Sequence, residues 1–484
     1  GDGLDDVVDG DAVTLEASMS PEPHPTVENG ALPDQVSMSL DGDDTTASRQ
    51  FSWYTATYVE GSDVQIVSAE GISDAEAAAE AMDAGTGVTQ ETSSDVEVAN
   101  KAKVTLNLVL ITNYEVVQEN HHTATAAVPA GDFYYRVGSE QDGYWSDPVL
   151  VDGDADAGDG YTAIVVADSQ GSSEADYEQV LAEAEASTSD EAFALHLGDM
   201  VDDGTNENYW SWLMDTDASM GVATMPVAGN HEARQDDEAL ANAVAAHYNV
   251  DIPEQDTSTG IYYSFVYGDA TYIVLNTNDG DSAVGDAQRQ WASETAAAAE
   301  TTWKIVVTHK APYSKGSHQG DSDVVALRGW LDSFCAQNDI DLVLSGHDHT
   351  YMRTPSLSGG AEAAVTTKTV SDGAGNSYEA QVNPAGTTFV IPSTSGTKYY
   401  DIVENDLPTA FSWQGYQPVW STLEIDGDTL FWRSYAYDAE TDASTCIDSF
   451  AITKDDNLTP AEEVMQMIDA LPDPNSISGR DAAE

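Results

Sequence analysis

Gly346-His347-Asp348-His349 sets two imidazoles one residue apart, directly after the short apolar run Asp341-Leu342-Val343-Leu344-Ser345. Neutral imidazole binds zinc, iron and other transition ions, and two rings leaving one strand end together can reach one ion each of a two-metal centre. Taken alone, the four residues fit a polar turn equally well. Other ligand-type residues also follow apolar runs. Asp168 follows Ala163-Ile164-Val165-Val166-Ala167, Asp199 follows Phe193-Ala194-Leu195-His196-Leu197-Gly198, and His309 follows Ile305-Val306-Val307-Thr308. Asn230 and His231 lie in Pro226-Val227-Ala228-Gly229-Asn230-His231-Glu232. Open α/β sheets place their sites at strand ends of this kind. Singly, each residue has an ordinary explanation: a cap or turn for the aspartates, a left-handed turn for Asn230, a core histidine for His309. Jointly, the two Asp, one Asn and three His point to one metal site.

The elements that must position these residues change character along the chain. Residues 1–35 are Asp-, Gly- and Pro-rich and read as a loose acidic lead-in. Over 36–152, runs such as Val36 to Leu40, Phe51 to Thr55, Lys103 to Leu110 and Phe133 to Gly138 alternate with turn residues, which predicts a β-sandwich. An Ala-rich helix interrupts it at Ser73 to Ala84, and His121 and His122 are expected to be exposed. Asp152 to Gly160 is a polar, glycine-rich break. Residues 160–454 mix strands with helices, the latter at Asp176 to Ala186, Ala287 to Glu300 and Val324 to Gln337. Strands are expected at Ile261 to Tyr267, Ala270 to Asn276 and Trp303 to Thr308. Beyond about residue 354 the pattern is loop-like, with strands at Thr388 to Ile391, Trp420 to Ile425 and Leu430 to Tyr437. Residues 455–484 hold an amphipathic segment, Pro460 to Leu471, read as a surface helix or linker.

The 484 residues include 86 Asp plus Glu against 16 Lys plus Arg, a formal net charge of −70. Binding nucleic acid through phosphate neutralisation needs basic surface, which this composition excludes. A phosphate-bearing substrate would also be repelled unless metal ions supply local positive charge. No apolar run is long enough to span a membrane, and Gly1-Asp2-Gly3 opens no signal peptide, so the expectation is a mature exported or cell-surface protein. Cys335 and Cys446 allow at most one disulfide, with two free thiols the alternative.

The series Asp168, Gly198-Asp199, Gly229-Asn230-His231-Glu232, His309 and Gly346-His347-Asp348-His349 resembles the calcineurin-like metallophosphoesterases, in particular the purple acid phosphatase branch. Phe51-Ser52-Trp53-Tyr54-Thr55 and Tyr134-Tyr135-Arg136-Val137-Gly138 resemble the fibronectin type III-like domain that precedes the catalytic domain there. The resemblance implies a four-layer α/β/β/α metallophosphoesterase sandwich behind the N-terminal all-β sandwich. It further implies two transition-metal ions, Fe, Zn or Mn, and hydrolysis of a phosphate ester by a metal-activated hydroxide. By position, Asp199 bridges the ions, Asp168 and His349 complete the first site, and Asn230, His309 and His347 hold the second. His231 is then the group that stabilises developing charge or protonates the leaving alkoxide.

Two departures from the branch stand out. Asp202 occupies the place of the tyrosine that colours the purple enzymes, so the colour should be absent; Asp202 either replaces the phenolate or orients the site. Asp168-Ser169-Gln170 stands where many relatives have Asp-X-His, leaving Gln170 as a ligand through its carbonyl or a supporting residue. His318, Tyr351 and Arg353 are further candidates for touching substrate, and His196 for packing or support. Phosphomonoesters are the favoured substrates. The ligands alone do not exclude a phosphodiesterase or nucleotidase, or a cell-surface binding protein with a vestigial site. Oligomeric state is not encoded in these motifs.

Overall fold

The computed structural model describes residues 30–93, 96–107, 111–153, 160–170, 174–188, 191–233 and 243–454. The expected lead-in up to residue 29, most of the break after Asp152, and the C-terminal segment with Pro460 to Leu471 lie outside the described residues.

The first half of the chain builds two antiparallel sheets. Strands Asp34–Leu40, Ser48–Thr55, Ile111–Ala127 and Val96–Asn107 lie side by side in that order. Ser62–Ser68 pairs with Thr89–Ser93 on one side and Phe133–Ser139 on the other, and Val149–Val151 adds to Phe133–Ser139. Alternate residues point inward, as strand geometry requires: Phe51 and Trp53 from one sheet share a core with Val64, Ile66, Tyr135 and Val137 of the other. The Phe51 and Tyr135 rings stand 5.0 Å apart. The Ala-rich helix spans Ala75–Asp83, and the Asp74 carboxylate caps it by accepting the Ala77 N–H at 2.9 Å.

His122 departs from expectation. It is fully buried, stacked 5.3 Å from Trp53, with Nε2 2.9 Å from Thr55 Oγ1 and Nδ1 3.0 Å from Ser62 Oγ. His121 stacks on Tyr54 and meets Ser52 Oγ at 2.8 Å. Burial dominates both rings, pushing His121 down to about 3 and His122 to about 4, so they are neutral members of the packing. Thr55 on the directly paired strand and Ser62 on the other sheet made a core position acceptable for a residue type that sequence places outside.

The second half contains two larger sheets. In the first, Thr224–Pro226, Glu191–His196 and Tyr161–Val166 run parallel, and Val419–Asp426, Thr429–Asp438 and Ala443–Thr453 continue it antiparallel. In the second, Tyr263–Tyr267 pairs antiparallel with Ala270–Val274, followed in parallel by Trp303–Val307, Leu342–Leu344 and Thr388–Pro392, then antiparallel by Tyr351–Arg353 and Phe411–Trp413. The inner residues of the parallel strands, such as Ile164, Val165, Phe193, Leu195, Ile305 and Val343, are apolar and fully buried because both faces are covered. Between the sheets, Tyr161 and Phe193 meet Phe265, Tyr267 and Tyr272: Phe193 is edge-on to Tyr272 at 5.6 Å, and the Tyr161 and Tyr272 hydroxyls bond at 2.6 Å. Helix Glu174–Ser187 buries Tyr177, Val180, Leu181 and Ala184 in that same core. Helices Asp286–Ala298 and Ser322–Asn338 bury Ala292, Ala296, Leu327, Leu331 and Phe334 against the outer face of the second sheet.

Six described strands beyond residue 354 were not expected: Leu357–Ser358, Ala361–Glu362, Thr366–Ser371, Ser377–Val382, Phe411–Trp413 and Ala443–Thr453. Thr366–Ser371 and Ser377–Val382 form a hairpin that joins the far edge of the first sheet beside Ala443–Thr453. Their polar, half-exposed faces carry no apolar run. Helix Glu207–Met214 is also new, capped by Asn206, whose side chain accepts from the Asn208 N–H. Cys335 is buried and Cys446 exposed, both as free thiols. No helix among the described residues is long and apolar enough to cross a membrane.

Candidate metal centre

Parallel pairing fixes the site. Val165 lies beside Leu195, and Leu195 beside Met225. The chain therefore delivers Asp168, Asp199 and Asn230 from three adjacent strand ends of the first sheet. In the second sheet Val307 lies beside Leu344, which delivers His309 beside His347 and His349. The carboxyl ends of both parallel sets thus meet at one place.

There, ligand atoms of Asp199, His309 and His347 lie within 4.8 Å of one another, as do those of Asp168, Asp199 and His349. Asp199 belongs to both groups. Asn230 Oδ1 lies 3.0 Å from His309 Nε2, joining the first group. All five charged or imidazole residues are buried. Three of them hold their backbones in the left-handed region, Asp168 at φ 50°, Asp199 at 49° and His347 at 75°. Such conformations are costly for residues with a Cβ and persist only where the surroundings enforce them.

Tight loop packing accounts for the flanking glycines. A Cβ at Gly229 would stand 2.2 Å from Asp199 Oδ1, and one at Gly198 2.7 Å from His309 Nδ1. Backbone groups hold the ligands from behind. His309 Nδ1 donates to the Leu197 carbonyl at 2.9 Å and His349 Nδ1 to the Lys398 carbonyl at 2.6 Å, turning both Nε2 atoms toward the site. Asp168 accepts the His347 N–H on both oxygens at 2.9 Å. Orientation of histidine ligands through the second ring nitrogen is a general feature of metal sites.

The donor set fits cations. His309 Nε2 lies 3.2 Å from Asp199 Oδ1 and 3.0 Å from Asn230 Oδ1 while Nδ1 donates to the Leu197 carbonyl, so a proton or a cation has to lie between Nε2 and these oxygens. His349 Nε2 is buried 3.3 Å from Asp168 Oδ1 yet makes no hydrogen bond. Acceptors buried face to face repel unless a proton or a cation lies between them.

The family model for calcineurin-like phosphoesterases matches residues 161–351, the stretch that contributes every one of these candidate ligands. Over that stretch the chain is similar to the calcineurin-like phosphoesterases. An uncharacterized Mycobacterium tuberculosis protein is 31% identical over 152 residues, 28% of this chain and 28% of the relative. The probable purple acid phosphatase 20 of Arabidopsis thaliana is 29% identical over 137 residues, 27% of this chain and 32% of that protein. The alignments thus span about a third or less of these relatives. In fold, the chain is similar to purple acid phosphatase PPD1 from yellow lupin seeds, with TM-score 0.60 over 94% of this chain and 78% of that one at 14% identity. PhoD matches with TM-score 0.53 over 92% of this chain and 99% of its own at 12% identity.

Within this site, the Asp199 carboxylate is held well below its usual range. Burial opposes this, but the His309 and His231 rings outweigh it. Burial likewise works against a charged His309, yet the carboxylates of Asp199 and Asp168 push it up to about 9. His347 goes the other way, lowered by burial and by the neighbouring His309 and His318.

His231 stands beside the groups, with Nε2 3.8 Å from Asp199 Oδ2. Its Nδ1 donates to the Asp202 carbonyl at 2.5 Å, and its backbone N–H donates to Asp199 Oδ1 at 2.9 Å. The Asp202 carboxylate, half exposed, reaches to 3.6 Å of the same Nδ1 and is in neither ligand group. Gln170 is buried and both of its side-chain amide atoms lack hydrogen-bond partners; its backbone N–H donates to the Asp199 carbonyl at 3.3 Å. His196 packs behind, with Nε2 2.7 Å from Ser169 Oγ.

Among the outer candidates, the fold brings His318 to the site and commits the other two elsewhere. The His318 ring lies 4.4 Å from that of His347, tethered by Asp321 and by its own N–H to Asp348 Oδ1. Tyr351 is fully buried with its hydroxyl on Asp448, and Arg353 takes both oxygens of the same carboxylate at 2.7 and 3.0 Å. Those contacts occupy the polar groups a substrate would use.

Sequence reasoning missed Glu232 and Tyr400. Glu232 accepts the N–H groups of Asp199, Gly229 and Val201, lacing two ligand loops together; burial and then Asp199 push its carboxyl up to about 8. Its place directly after Asn230-His231 was the available signal. The Tyr400 ring stacks on His349 at 4.4 Å from a loop with no motif.

Proposed function

We propose that the chain hydrolyses phosphate monoesters at a dinuclear metal site. The observation that carries this reading is the membership of Asp199 in two ligand groups, since one carboxylate offered to two clusters is what a bridging ligand requires. Asp168 and His349 would complete the first site. Asn230, His309 and His347 would complete the second. Gln170, with an unpaired buried amide, is the further oxygen donor available beside the first site. The oxygen and imidazole set admits Fe, Zn or Mn. Bound there, two such ions lower the pKa of a coordinated water and offset the charge of a phosphate group.

The chain's own residues supply orientation and a proton. Neutral Asn230 leaves the second site more positive than a carboxylate would, which favours an anionic ester in a protein of net charge −70. His231, fixed by Nδ1 on the Asp202 carbonyl, presents Nε2 toward Asp199. As the oxygen of a deprotonated water bonds to phosphorus and the ester P–O bond breaks, the imidazolium form of His231 would give its Nε2 proton to the departing oxygen and keep the Nδ1 proton on the Asp202 carbonyl. In this reading Asp202 orients His231 and binds no metal. The two N-terminal antiparallel sheets are read as a fibronectin type III-like module preceding the catalytic domain of an exported protein.

The test is a paired assay of the metal-loaded chain on an aryl phosphate monoester and the matching diester. The monoester is expected to turn over with kcat/KM at least about tenfold higher. A preference for the diester would assign phosphodiesterase activity instead, and no turnover of either would overturn the enzymatic reading.

A further inference from the structure

The loop after strand Ala270–Val274 reads Leu275-Asn276-Thr277-Asn278-Asp279 and contributes no ligand. It nevertheless touches both halves of the second metal site. Asn278 Nδ2 lies 3.1 Å from the Ala228 carbonyl and 3.2 Å from the Gly229 carbonyl, the two peptides that lead into Asn230. Thr277, fully buried, accepts on Oγ1 the N–H of Lys310 at 3.2 Å, the peptide that follows His309.

The loop is itself anchored. The Gln288 side chain of helix Asp286–Ala298 accepts the Asn276 N–H at 2.9 Å and donates to the Asn276 carbonyl at 3.0 Å. Asn276 Oδ1 in turn accepts the Asn278 N–H at 3.1 Å, and Asn276 Nδ2 donates to Thr259 Oγ1 at 2.9 Å. A helix on the outer face of the second sheet thereby holds a bracket whose arms end on the two ligand loops.

Asn230 and His309 come from different sheets, so no shared strand pairing sets the distance between them. We propose that Asn278 and Thr277 are positioning residues that fix Asn230 and His309 at the separation the second metal ion needs. Asn278 acts on the Asn230 loop and Thr277 on the His309 loop. No comparable contact runs from these two side chains to Asp168 or His349 among the described residues, so the effect is confined to one of the two ions. This inference rests on the dinuclear reading above.

The experiment is calorimetric titration of Zn²⁺ into the metal-free full chain. Native protein should take up two ions. Asn278→Ala should bind one ion with native affinity and the other about 10–100-fold more weakly, the usual effect of losing a group that orients a ligand. Thr277→Val, which keeps the side-chain shape and removes the acceptor, should weaken the same ion, and it decides the matter should Asn278→Ala fail to fold. Unchanged affinity for both ions in the folded variants would overturn the proposal, as would an equal loss at both. Native protein that binds fewer than two ions would instead overturn the dinuclear reading itself.

Discussion

Nε2 of His309 stands 3.2 Å from Oδ1 of Asp199, while the other ring nitrogen is engaged by the Leu197 carbonyl. Without metal, that short approach favours a proton on the ring, and His309 is pushed up to about 9 by Asp199 and Asp168 against the effect of burial. A metal ion at Nε2 has to displace that proton. Affinity for the ion at the second site should therefore rise by about tenfold per pH unit below 9 and level off above it. Metal titration between pH 6 and pH 10, in buffers of differing protonation enthalpy, should show one proton released from His309 on binding of the second-site ion at the acidic end. A pH-independent affinity would place the proton elsewhere.

His231 is held by Asp202 and lies outside both ligand groups. His231→Gln should lower kcat by about 10²–10⁴-fold, the range for a lost general acid, while both ions stay bound. Asp202→Ala should give a smaller loss, also with both ions retained. Steady-state kinetics paired with elemental analysis checks this; loss of metal in either variant would make the residue a ligand.

Much of the site was legible in the chain because ligand residues follow apolar runs, and parallel strands place their ends together. Asp168, Asp199, Asn230, His309, His347 and His349 all arrive at one place by that rule. What stayed hidden depends on contacts between distant segments. His122 became a core residue through Thr55 and Ser62, which no local pattern announces. Tyr351 and Arg353 sit next to the histidine motif in sequence, yet Asp448, nearly a hundred residues on, claims them. The left-handed backbones of Asp168, Asp199 and His347 are likewise tertiary in origin, since none of the three is glycine. The late strands Thr366–Ser371 and Ser377–Val382 bury little and so carry no apolar signature.

Away from the metal centre, Glu185 on helix Glu174–Ser187 is pushed up to about 8, by burial first and then by Glu191 and Asp152. Below its ordinary value of 4.5 the group is protonated in folded and unfolded chains alike, so nothing is lost. Between there and pH 8 only the unfolded chain releases the proton, and stability falls as pH rises. Glu185→Gln should thus stabilise the protein by on the order of 2 kcal/mol at pH 9, allowing for solvent screening, and leave it unchanged at pH 4. Denaturant unfolding at the two pH values measures this; an equal effect at both would remove the titration from the explanation.

A net charge of −70 leaves the surface self-repelling. Raising KCl from roughly 0.05 M to about 1 M shortens the screening length to about 3 Å, so the thermal midpoint should rise with salt. A midpoint insensitive to salt would mean that the acidic groups are neutralised locally.

The bridging role of Asp199 is tested most directly by elemental analysis of the purified native chain beside Asp199→Asn. Two transition-metal ions per native chain, and one or none in the folded variant, are the predicted results. A variant that retains both ions, or a native chain that holds none after metal loading, would contradict the dinuclear site.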